Sequence, residues 1–257
     1  MPRILFIPDQ FTDYRMWSDI PDRIGGRAEV IHFDRHEQIP WTAGAGGGFL
    51  DAVRRLAPDG SLDIVVAAGQ AARFGFAVAE AGLARGVVFF YPWLDRPLDE
   101  VGSSLDDAGA AEALDPYRPV AAALHEEDAS RRRDILVQVI RDNAGPDAEP
   151  GELERAVSMI TDHAAEFFAE MEEAQAAGAA GFPPPDPPWL ERPWIDRLAA
   201  LTVPVVAVAS PRGAAIGEAI ADRARDAEIV LASPGLMLIA APDRSAEALI
   251  RMLDRLD

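Results

Sequence analysis

The stretch Asp63–Gly82, DIVVAAGQAARFGFAVAEAG, changes its hydrophobic rhythm halfway along. Its first six residues form a short, nearly continuous apolar run, the pattern of a strand buried on both faces, while the residues after Gly69 repeat at helical spacing. Small residues, Ala67 to Ala71 around Gln70, lie at the junction, so the chain can turn sharply there. A strand passing through a tight turn into an amphipathic helix is the unit of an α/β sheet, and this unit decides the fold.

Similar runs occur on either side. RILFIP near the N-terminus, Ala28–Phe33, Gly86–Tyr91, Pro204–Ala209 and Ala227–Ala232 read as further strands. The helices between them appear as GGGFLDAVRRLA, QAARFGFAVAEA and AIGEAIADRA, and PDRSAEALIRMLDRL closes the chain with Ala246, Leu249, Ile250 and Leu253 as its apolar stripe. The expected fold class is α/β, a predominantly parallel sheet with helices on both faces. One interval breaks the alternation. Residues 93–203 are far longer than an ordinary crossover and carry helical patterns over Ser130–Asn143 and Glu152–Ala177, so they read as an inserted helical cap with a proline-rich return segment. Residues 1–92 and 204–257 would then form the core.

Composition narrows the chemistry. Of 257 residues none is cysteine, which removes disulfides, thiolate metal sites and a cysteine nucleophile. Lysine is also absent, and all 24 basic residues are arginine, so a Schiff base or a lysine base is excluded. A formal charge of -19 argues against nucleic acid and anionic membranes as partners. The one dense basic run, Ala129–Asp134, reads as a solvated helix face. No cationic leader precedes the first strand and no apolar run reaches membrane-spanning length, so a cytoplasmic protein is expected. No metal or organic cofactor is called for: there is no G-x-G-x-x-G after the first strand, AGAGGGF lacks a strand before it, and no Walker lysine exists.

In an open parallel sheet the binding crevice lies beyond the carboxyl ends of the strands. The loops there are PDQFTDYRMW, DRHEQ, AAGQAAR, PWLDRP, SPRGAA and SPGLM. Their order resembles the α/β-hydrolase family. Ile4–Trp17 is similar to that family's strand and oxyanion loop, VIHFDRH to its next strand, VVAAGQAA to the nucleophile elbow, VPVVAVASPRG to the acid-bearing strand end, and EIVLASPG to the strand before the histidine loop. The resemblance covers nearly the whole core.

The catalytic pattern of that family does not follow. Where the elbow reads G-x-S-x-G, this chain has Ala67, Ala68, Gly69, Gln70 and Ala71, and a glycine tolerates the strained turn but has nothing to attack with. Arg212 stands nearest the acid position, and Gly235, Leu236 and Met237 near the histidine position. The four histidines, His32, His36, His125 and His163, all lie outside the last third of the chain. Three absences at separated positions argue against a Ser-His-acid relay.

Other groups remain. Asp9 and Gln10 occupy the family's His-Gly position, the backbone N–H groups of Phe11 and Gln70 match its oxyanion donors, and Asp95 follows the fourth predicted strand. The resemblance makes Asp9, Gln70 and Asp95 the candidate catalytic residues. Gln10, Phe11, Tyr14, Trp17, Gly69, Trp93, Trp189 and Arg212 are candidates for lining a substrate pocket. Each has a structural alternative: Asp9 organising its turn, Gln70 opening a helix, the aromatics packing the cap. Phe182 and Trp194 join Trp189 at the expected seam. Asp34 reads as loop support, His32 as a sheet-end residue and His163 as a solvated helical edge.

From this the sequence leads to a non-hydrolytic enzyme, a cyclase, isomerase or lyase, acting on a small, largely apolar organic molecule by pocket shape and acid-base or oxyanion stabilisation. The alanine- and arginine-rich composition fits a setting in specialised metabolism. Two alternatives stand beside it: a non-catalytic pseudo-hydrolase that binds a ligand or a protein, and an unconventional hydrolase in which an aspartate activates water. A homo-oligomer or protein partner is left open.

Overall fold

In a computed structural model of the chain, the residues described are 1–9, 12–17, 19–33, 46–60, 62–92, 126, 128–143, 151, 153–159, 161–163, 194–211, 213–232 and 242–257. They contain a six-stranded sheet, β1 (Arg3–Ile7), β2 (Glu29–His32), β3 (Leu62–Ala68), β4 (Ala84–Phe90), β5 (Val205–Ala209) and β6 (Ala227–Leu231), in the order β2-β1-β3-β4-β5-β6. Every pairing is parallel. All six apolar runs singled out in the sequence are strands, and the four on β1, β3, β4 and β5 are buried almost throughout.

Two apolar layers enclose the sheet. On one side Phe49 and Val53 of the helix Gly46–Leu56, Ala72 and Phe76 of Ala72–Glu80, and Ile220 of Ala214–Ala221 pack on Leu5, Val65, Val87 and Val205. On the other, Ala248, Leu249, Met252 and Leu253 of the helix Pro242–Leu256 pack on Ile4, Ile64, Val88 and Val206. On that closing helix Ala246, Leu249 and Leu253 of the expected stripe are buried, Ala248 and Met252 are buried beside them, and Ile250 is only half-buried.

Adjacent strands β4 and β5 are separated in sequence by the long inserted interval. Within it Ala129–Asn143 is helical, as are 153–159 and 161–163, and the chain re-enters through Trp194–Arg197. Val139 and Ile140 are buried while Arg131 and Arg133 are exposed and Arg132 is half-buried, which places two arginines of the basic run on a solvated face. Trp194 is buried against Phe76 and Phe89, with ring centroids 6.3 and 5.1 Å away, so it fastens the returning chain to the core. No helix among the described residues is long and apolar enough to cross a membrane.

The topology places the site. Successive crossovers run outward from β1 in opposite directions, to β2 on one side and to β3 on the other, and such a switch leaves a crevice at the carboxyl ends of the two central strands. The residues leaving β1 and β3 there are Asp9 and Gly69.

Candidate functional site

β3 ends at Ala68, and Gly69–Ala71 form a single 3-10 turn before the helix Ala72–Glu80 begins. Gly69 has φ +53°, the left-handed region that side chains other than glycine avoid. The turn is tight because the helix doubles back closely on its strand. A Cβ on Gly75 would stand 2.6 Å from Cβ of Ala67, so small residues at both positions are a packing requirement.

The space above Gly69 is occupied by a carboxyl group. A Cβ on Gly69 would meet Oδ1 of Asp9 at 2.5 Å, and Cγ and Oδ2 closer still. Asp9 belongs to the loop after β1, the neighbour of β3 in the sheet, and its carboxyl crosses the switch point into the volume where an elbow side chain would project.

That loop is tightly built. The carbonyl of Asp9 accepts from the N–H of Thr12 at 3.2 Å and from its hydroxyl at 2.8 Å, and the N–H of Asp9 points to Sδ of Met16 at 3.4 Å. Thr12 and Met16 are buried, and the turn Tyr14–Trp17 follows. Trp17 is fully buried between Phe6 at the end of β1 (4.9 Å) and Phe90 at the end of β4 (5.7 Å), both edge to face. Tyr14 is exposed, its ring 5.9 Å from that of His32, which is itself exposed on the edge strand. Although the residue's surface is open to solvent, the protein packed around its imidazole desolvates the ring in part and lowers the His32 pKa.

A cluster at this loop joins His163, read in the sequence as a solvated helical edge, to Asp13, Arg15, Ser158 and Asp162, which the sequence reading did not single out. Nε2 of His163, from the helical residues 161–163, lies 2.9 Å from Oδ2 of Asp13, and the two side chains are only 13% and 21% exposed. Arg15 donates to both oxygens of Asp13, at 2.6 to 3.0 Å, and also to Oδ2 of Asp162 at 3.0 Å and the hydroxyl of Ser158 at 3.3 Å. Burial works to raise the Asp13 pKa, but the hydrogen bonds from His163 and Arg15 and the guanidinium charge outweigh it. Together they hold this carboxyl well below the usual carboxylate range. His163 is thus held in an ion-paired seam instead of at a solvated edge. The available sequence signal was spacing: Ala156, Met159 and His163 continue one stripe, and the first two are fully buried.

Of the sequence candidates, the fold brings Asp9 and Gly69 together, buries Trp17 in the core and leaves Tyr14 at the surface. Gln10, Phe11, Trp93, Asp95, Trp189 and Arg212 lie outside the described residues, as do Asp34, His36, His125, Phe182 and the side chain of Gln70. Among the described residues, no group of three histidine or acidic side chains is placed to hold a metal ion.

No protein-family model matches the chain, and no curated protein matches it in sequence. Solved structures do match in fold. A hydrolase from Pseudomonas aeruginosa is 16% identical, with a TM-score of 0.61 over 98% of this chain and 89% of that one. A thermophilic esterase from Thermogutta terrifontis, solved with malate bound, is 16% identical, with a TM-score of 0.65 over 100% of this chain and 90% of that one. A haloalkane dehalogenase loop variant from Bradyrhizobium elkanii is 15% identical, with a TM-score of 0.61 over 99% and 89%. The chain has an α/β-hydrolase-like fold, with a parallel sheet flanked by helices and an inserted helical region.

These neighbours correct the expected activity. The sequence points to a cyclase, isomerase or lyase, or to a pseudo-hydrolase, because Gly69 brings no reactive side chain to the elbow position. Solved neighbours on this scaffold are instead named as a hydrolase, an esterase and a haloalkane dehalogenase. The space above Gly69 is occupied as well, by a carboxyl group from the loop that follows the adjacent strand.

Proposed function

We propose that this protein is a hydrolase of a small, largely apolar ester or epoxide, in which the Asp9 carboxylate activates water over the elbow. The observation that carries the reading is the Asp9 carboxyl standing in the side-chain volume of Gly69, at the switch point of the sheet. An attacking group is needed at that point. Glycine cannot provide one, whereas a carboxylate can take a proton from water. With an ester, Asp9 accepts that proton as the water oxygen adds to the carbonyl carbon. The oxyanion then faces backbone N–H groups at the start of the elbow turn, and the departing alkoxide recovers the proton from Asp9, giving acid and alcohol. The helix that follows supports this, because its first turn favours negative charge.

A core of 1–92 and 204–257, a cap of 93–203 over the site and a cytoplasmic location belong to the same reading. The test compares wild type with D9N on p-nitrophenyl acetate, p-nitrophenyl butyrate and styrene oxide, with circular dichroism confirming equal folding. Wild type should turn over at least one of them, and D9N should lose about 100-fold or more. Equal rates in the two proteins would refute the role of Asp9.

A further inference from the structure

The loop carrying Asp9 is gripped from outside the core. Both backbone polar groups of Asp9 are committed to Thr12 and Met16, and Met16 in turn donates its N–H to the carbonyl of Asp13 at 3.0 Å. Oδ1 of Asp13 accepts the N–H of Arg15 at 2.8 Å, which closes the turn on itself. Its Oδ2 faces His163, and Arg15 reaches across to Ser158 and Asp162. Three polar side chains of the inserted helical residues therefore hold one short turn of the core. Beneath them Met159, fully buried, belongs to the same apolar cluster as Met16, Trp17, Ala68 and Phe90. That cluster also includes the last residues of β3 and β4, so Met159 anchors the inserted helix in the apolar layer that covers this face of the sheet, and His163 holds the turn after Asp9 one helical turn later.

We infer that Asp13 and His163 are positioning residues: their hydrogen bond is the joint through which the inserted helix keeps the Asp9 carboxyl over Gly69. The inference rests on the reading of Asp9 given above. The charges around the joint fit the role. Asp13 and Asp162 supply two carboxylates and Arg15 a forked cation that touches both, while the imidazole N–H completes the shell of Asp13. Loosening His163 removes one anchor from a turn whose displacement would carry the Asp9 carboxyl out of a space with no slack.

The lack of slack supplies a test that needs no substrate. Gly69→Ala places a methyl group where the Asp9 carboxyl stands, so its cost reports whether that carboxyl is in place. The Tm penalty of G69A is measured in wild type and in the D9A, H163A and H163Q backgrounds. In wild type it should exceed about 4 °C for a chain of this size. D9A should relieve it substantially. H163A should relieve half or more of it, and H163Q, whose amide can donate to Asp13 as Nε2 does, should restore it. The strain of a left-handed alanine is common to all four backgrounds and cancels.

If D9A relieves the penalty while H163A leaves it unchanged, Asp9 is correctly placed and the positioning role is wrong. If D9A fails to relieve it, the placement of Asp9 falls and both proposals fall with it. As a second readout, the carboxyl carbon-13 titration of Asp9, assigned with D9N, should shift in H163A and return in H163Q; an unchanged midpoint in H163A would overturn the inference. Should H163A fail to fold, D13N takes its place in both measurements.

Discussion

The carboxyl group of Asp9 and the side-chain position of Gly69 are one and the same space, shared across the neighbouring strands β1 and β3. Putting a serine back at the elbow therefore would not recreate a familiar nucleophile. Gly69→Ser combines a left-handed non-glycine residue with a clash against Asp9, and it should cost about 2 to 4 kcal/mol in urea unfolding. The double variant D9G/G69S should recover the clash component but remain strained, so its stability should lie between G69S and wild type.

Asp13 should make stability depend on pH in a predictable direction. Its folded pKa lies below the ordinary 3.8, because the hydrogen bonds from His163 and Arg15 outweigh burial, so the carboxylate contributes stability fully above the unfolded value. That contribution disappears as pH falls through the folded pKa. D13N should be less stable than wild type by about 1 to 3 kcal/mol at pH 7. The difference should stay level down to about pH 5 and narrow progressively below pH 4, as measured by urea titrations at each pH.

Tyr91, just past β4, has φ +46° and is the one non-glycine among the described residues in the left-handed region. Its N–H donates to the carbonyl of Val208 at 2.7 Å, which holds the turn at the end of the strand. Asparagine accepts this conformation far better than a β-branched residue does. Y91N should therefore be more stable than Y91V by about 1 to 2 kcal/mol; equal thermal stabilities would show that the turn relaxes.

At Gly75 helix propensity and packing oppose each other. Alanine is favoured over glycine in a helix interior by about 1 kcal/mol, yet a methyl group here would stand 2.6 Å from Cβ of Ala67. Overpacking should win, leaving G75A destabilised by about 1 to 3 kcal/mol. A67G/G75A, which moves the methyl from strand to helix, should be more stable than G75A in chemical denaturation.

Much of the scaffold was readable in one dimension. Strands such as Ile64–Ala68 and Val205–Ala209 are apolar without alternation because a parallel sheet covered on both faces buries every side chain, and that demand is written locally. The elbow was equally legible, since a strand, a run of small residues and an amphipathic helix follow one another without interruption. Trp17 was harder: an aromatic after an oxyanion-type loop looks the same in sequence whether it lines a pocket or, as here, fills the core between Phe6 and Phe90.

Sequence alone determined the class of fold, the strand-turn-helix unit around Gly69 and the lack of a side chain there, because hydrophobic period and residue identity are local properties. Tertiary structure alone decided what fills that loss. Asp9 and Gly69 are 60 residues apart, and Asp13 and His163 are 150 apart. Their meetings follow from the strand order of the sheet and the docking of the inserted helix, and neither the spacing nor the chemistry of the individual residues specifies them. What reads along the chain as an empty position at Gly69 is, in three dimensions, a space filled by a carboxyl group from the loop after the neighbouring strand.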